Sequence, residues 1–134
     1  MKRLLTATAV IELGAGLALL GFPSAASRLL LGVPLEGPAG SVVARVGGAG
    51  LLALGTACWL ARIDARSRAA RGVVGAMLLY NLGAFVVLGV AGLRGHPVGV
   101  ALWPAVGLHL AMTAWCVARL SREASGIEPE AGRK

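Results

Sequence analysis

The sequence predicts an all-α membrane protein, four transmembrane helices in an antiparallel bundle with a short helix at the outer interface. Three observations lead there. The 134 residues are 57% hydrophobic and 14% charged, and the mean hydropathy is +0.77. A soluble domain of this size needs a polar surface that such a composition cannot supply. The apolar residues gather into four stretches, each close to the roughly 20 residues that cross a bilayer as a helix. The net charge of +7 is concentrated in short clusters between those stretches. It forms no basic face with interleaved aromatics, so no nucleic-acid partner is implied. The alternating ten-residue segments of a β-barrel are absent.

The first span covers residues 4–22. Lys2-Arg3, an apolar run and PSAAS imitate a secretory signal peptide. The run exceeds the usual length for a signal, however, and it carries Glu12, for which a targeting segment has no use. The span is therefore expected to be retained. After it, SAASRLLLGVPLEGPAG offers Ser24 as an N-cap, then Leu29, Leu30 and Leu31, and stops at Gly32 and Pro34. This predicts a short interfacial helix over 24–31. The second span covers 41–63, the third 72–93 and the fourth 97–120. Residues 1–120 thus form one transmembrane domain, and the polar, mixed-charge tail 121–134 is expected to be disordered and cytoplasmic.

Lys2, Arg3, Arg62, Arg66, Arg68, Arg71, Arg119, Arg122, Arg133 and Lys134 fall on one side of this arrangement, and only Arg28 and Arg94 on the other. The positive-inside rule places both termini in the cytoplasm of a cell whose inner (plasma) membrane the chain crosses several times. Trp59 and Trp115 suit the inner interface, and Trp103 sits somewhat deeper at the other end.

The spans repeat. GLLALGTACWLAR at 50–62 aligns without gaps to GLHLAMTAWCVAR at 107–119, and VIELGAGLAL at 10–19 aligns to LYNLGAFVVL at 79–88. The offsets are 57 and 69, so the first hairpin holds twelve more residues, about the length of SAASRLLLGVPL. The pattern is that of two parallel-related hairpins, one with an inserted interfacial helix. Shared Ala, Gly and Leu content is the alternative source of such matches. The repeat pairs Glu12 with Asn81.

Helical rise puts several polar groups near one level. Glu12 lies roughly 12 Å and Asn81 roughly 14 Å from the cytoplasmic side. His109 is near the middle of the fourth span, and Arg45 lies roughly 6 Å below the outer end of the second. Charged groups at such depth are costly, so Glu12, Arg45, Asn81 and His109 are expected to turn into the bundle as a polar cluster. Two readings of that cluster stand. In one, Glu12 is a structural partner of Arg45, Asn81 or His109 that fixes helix register, a common use of buried polar groups. In the other, it binds a ligand or carries a proton. His109 without neighbouring ligands makes no metal or haem site, and His96 belongs to an outer loop. Cys58 and Cys116 are expected to be free buried thiols in a reducing compartment. No catalytic motif and no cofactor-binding motif occurs.

Taken together, GFP, RLLLGVPLEGPAG, ARVGGAGLLALGTACWLAR, LLYNLGA and ALWPAVGLHL resemble a class of small four-helix bacterial membrane proteins, similar in overall form to DoxX-like proteins. That resemblance implies an association with membrane-bound oxidoreductase complexes and quinones. No residue here matches a catalytic position of that group. The sequence thus points first to a non-enzymatic accessory or self-associating subunit whose partners are the bilayer, its own copies or a membrane complex. The alternative is a binder of a small lipophilic, quinone-like ligand or a proton-coupled carrier.

Overall fold

The computed structural model describes residues 1–94 and 98–125. Those residues form five helices and no strand: α1 Lys2–Gly21, α2 Pro23–Leu31, α3 Gly37–Ala61, α4 Arg68–Leu93 and α5 Leu102–Ser125. The all-helical class is as the composition requires. α1, α3 and α4 are long and apolar enough to cross a membrane. α5 is of similar length, but Trp103, Pro104, His109 and Trp115 dilute its apolar run, and Arg119 and Arg122 mark its last turns.

The element ends show local chemistry that hydropathy alone does not resolve. α2 starts at Pro23, whose fixed φ and missing N–H suit the first helical position, so the N-cap is Phe22 and not Ser24. It ends where expected, on Gly32 in the left-handed conformation at φ 74°. α3 begins four residues before the apolar stretch because Gly37-Pro38 can open a helix. α4 also begins four residues early, at Arg68, because the Ser67 hydroxyl caps it by accepting the Ala70 N–H at 3.1 Å.

α5 starts at Leu102, later than the expected 97. The Gly99 and Ala101 amides donate to the Leu30 and Leu29 carbonyls at 3.1 and 2.9 Å, which draws this segment onto the end of α2. Those carbonyls would otherwise be orphans of the helix C-terminus. A Cβ at position 99 would run into the Leu29 carbonyl. α5 continues to Ser125, so the expected disordered tail opens as helix. Residues 126–134, and the outer-loop positions His96 and Pro97, lie outside the described residues.

The helices associate chiefly as two pairs, α1 with α3 and α4 with α5, with lighter contact between α3 and α4. α2 touches α1, α3 and α5. In the first pair the backbones come very close. A Cβ on Gly16 would lie 2.8 Å from the Gly48 carbonyl oxygen, and one on Gly55 would lie 2.9 Å from Leu13. Small residues permit such approach, and within a membrane the resulting van der Waals contact drives association. Leu4, Leu5, Ala9, Cys58, Ala70, Val74, Met77, Met112 and Cys116 form one packed core. It lies where α1 and α4 begin and where α3 and α5 end. Cys58 and Cys116 are both buried and free within it.

Candidate functional site

Above that core the packing opens. The buried row of α1 is Leu4, Thr8, Glu12 and Gly16, spaced by four so that all share one face. The buried row of α4 is Ala70, Val74, Met77 and Asn81. The α4 row is apolar or small until Asn81, whereas the α1 row already carries the Thr8 hydroxyl one turn before Glu12. Glu12 is 3% exposed and Asn81 1%.

Asn81 is engaged at both ends of its amide. Its Nδ2 donates to the Met77 carbonyl one turn back at 2.8 Å, and its Oδ1 lies 2.8 Å from His109 Nδ1 across the helix pair. His109 is half-buried and stands edge-on to Tyr80, with ring centroids 5.7 Å apart and planes at 82°. Asn81 thus makes an interhelical hydrogen bond, with the α5 histidine as its partner.

Glu12 differs. No hydrogen bond or ion pair joins its carboxyl to another described residue, and its oxygens are not sealed within the packing. Its side chain lines a cavity of about 480 Å³ together with Tyr80 and His109. The rest of the lining is aliphatic. Ala15, Leu19, Leu51, Ala84 and Ala105 make the walls, and Ala26, Leu29 and Leu30 of α2 make the roof. Glu12, Tyr80 and His109 thus form the polar floor of a greasy chamber, above the packed core. Its volume lies within the range of small-molecule sites, as does its character of apolar walls with a few convergent polar groups.

Arg45 does not join the other three. Its side chain is exposed. α3 buries Gly48, Leu51, Gly55 and Cys58. The preceding position on that face is Ala44, and Arg45 stands about 100° around the helix from it. Depth along a span does not fix direction around it, and the Glu12–Arg45 pairing that one sequence reading allowed is not formed. Among the described residues no group of three or more His, Cys, Asp or Glu side chains gathers in a way that would hold a metal ion.

Sequence reasoning missed the contribution of α2 to the chamber. The signal was present: Ala26, Leu29 and Leu30 fall at helical spacing on one side, whereas Arg28 falls on the other. No family model, no curated protein and no solved structure matches this chain.

Proposed function

We propose that this chain is a four-span membrane protein whose bundle binds a small lipophilic molecule. In this reading α1, α3, α4 and α5 cross the inner membrane of a bacterial cell in alternation, with both termini cytoplasmic and α2 at the outer interface. The contact register supports the alternation. Ala9 and Leu13 of α1 meet Gly55, late in α3, whereas Gly16 and Leu19, further along α1, meet Gly48, nearer the start of α3. The Lys and Arg distribution supports the orientation.

The binding reading is carried by Glu12. A carboxyl group that is buried, without a protein partner and facing an apolar chamber is costly to a bundle that gains nothing else from it. A structural role would have closed that group on a neighbour, as Asn81 closes on His109. The test is extraction of the purified full chain, held in lipid nanodiscs, followed by mass spectrometry of the extract. One small lipophilic molecule should be recovered at close to one per chain and lost from Ala84→Phe, whose ring fills the chamber. Equal recovery from both proteins, or none from either, overturns the reading.

A second reading has one observation in its favour. Arg45 is an exposed cation on α3, about 12 Å from the start of that helix. A partner helix, from a second copy or from a membrane complex, would cover it. This is the accessory-subunit reading, and recovery of the chain as a lone monomer after mild crosslinking in membranes removes it.

A further inference from the structure

The chamber floor has a polarity that narrows the chemistry of its ligand. Asn81 Nδ2 bonds the Met77 carbonyl at 2.8 Å. A carbonyl only accepts, so the amide atom turned toward His109 is the oxygen. That oxygen also only accepts, so His109 Nδ1 carries a hydrogen and donates it across 2.8 Å. In the neutral ring this leaves Nε2 with its lone pair and no protein partner among the described residues. Glu12, a residue 3% exposed whose carboxyl has no partner among the described residues, lines the same chamber. Among the described residues no lysine or arginine lines the chamber, and the exposed Arg45 is not part of its lining. The floor therefore gathers acceptors with no cation to answer them. Tyr80 adds a ring next to His109, and aromatic faces favour cations.

Resting on the reading that the chamber holds a lipophilic molecule, we infer that this molecule is a lipophilic amine, an apolar body with one protonatable nitrogen seated on Glu12. One proton serves the pair. A neutral amine takes it from the Glu12 carboxylic acid, or an ammonium brings it to the carboxylate. Both routes end in the same net-neutral N–H···O pair, with His109 Nε2 available to a second N–H. An alcohol satisfies an acceptor but cannot neutralise a carboxylate. A head group made only of carbonyls sets acceptors against His109 Nε2. Apart from the protonated form of Glu12, it would find only the Tyr80 hydroxyl as a donor. A carboxylate ligand sets like charges together.

The discriminating probes are 1-adamantylamine and 1-adamantanol, two compact molecules of the same shape that differ at the polar atom. Each is tritiated and equilibrated with the full chain in nanodiscs, with protein-free nanodiscs as the partition control. The amine should bind at least about tenfold more tightly than the alcohol, a difference of about 1.4 kcal/mol. In Glu12→Gln the amine should fall to the level of the alcohol while the alcohol is unchanged. Equal binding of both probes to the native chain overturns the amine and leaves the lipophilic chamber standing. Saturable binding of neither overturns both. If Glu12→Gln also loses the alcohol, the variant has lost its chamber, and the ratio of the two probes on the native chain decides alone.

Discussion

The two hairpins of this bundle share a layout and treat their polar residue in opposite ways. In α4–α5, Asn81 reaches across to His109 and is satisfied within its own pair. In α1–α3 the corresponding positions are Glu12 and Leu52. Leu52 lies against Gly16, where the backbones of the first pair meet, and it offers Glu12 nothing. The first hairpin replaces a hydrogen bond by close glycine packing, through Gly16 and Gly48, where the second carries Phe85 and Ala105 at the aligned positions. Among the described residues the first hairpin thus leaves its carboxyl facing the chamber, whereas the second closes its amide on a histidine. The open carboxyl reads as a feature of the site rather than a cost of the architecture.

Three experiments break or sharpen this comparison. The largest effect is expected from Gly48→Leu, which drives a side chain into the Gly16 carbonyl and the α1 backbone. Overpacking of this kind should cost about 3 kcal/mol or more, read as a lower unfolding midpoint in SDS titration. Gly47→Leu, whose Cβ meets nothing within 4 Å, should leave the midpoint unchanged. If both variants behave alike, the first hairpin is not held by glycine contact.

An intermediate effect separates the polar residues. Asn81→Leu leaves the His109 Nδ1–H without its acceptor and should destabilise by about 1–3 kcal/mol in the same titration. Glu12→Leu breaks no bond and should be neutral or stabilising. Equal losses would mean that Glu12 is held by a bond after all. The smallest effect is expected from Leu52→His, which copies the second hairpin into the first. A new partner for Glu12 should raise stability by about 1 kcal/mol and weaken retention of any molecule in the chamber. Unaltered retention would separate the chamber from the carboxyl.

Much of this was legible in the chain, for identifiable reasons. Long apolar runs bounded by arginines gave the helices, because backbone satisfaction in a bilayer leaves few alternatives. The run from Leu29 to Leu31 followed by Gly32 gave α2 and its end, because only a few residues take the left-handed conformation easily. Glu12, Asn81 and His109 were found by depth, and depth is a count of residues. Arg45 went astray because a count says nothing of azimuth until the packing face is known, and that face is set by glycines 48 and 55 meeting α1. The late start of α5 was beyond reach for a different reason. It depends on amides at 99 and 101 meeting carbonyls at 29 and 30, a pairing across some seventy residues that no local pattern announces.

That last pairing also orders events in time. During synthesis the first hairpin emerges complete, and its two helices can settle on each other through their glycines while the rest of the chain is still being made. The roof of the chamber cannot be finished then. The Leu29 and Leu30 carbonyls wait for partners that leave the ribosome only after α4. A nascent chain halted before residue 99 therefore holds the carboxyl, Tyr80 and the walls from α1, α3 and α4, but it lacks His109 and the α5 wall, and residues 99–101 tie that last wall to the roof.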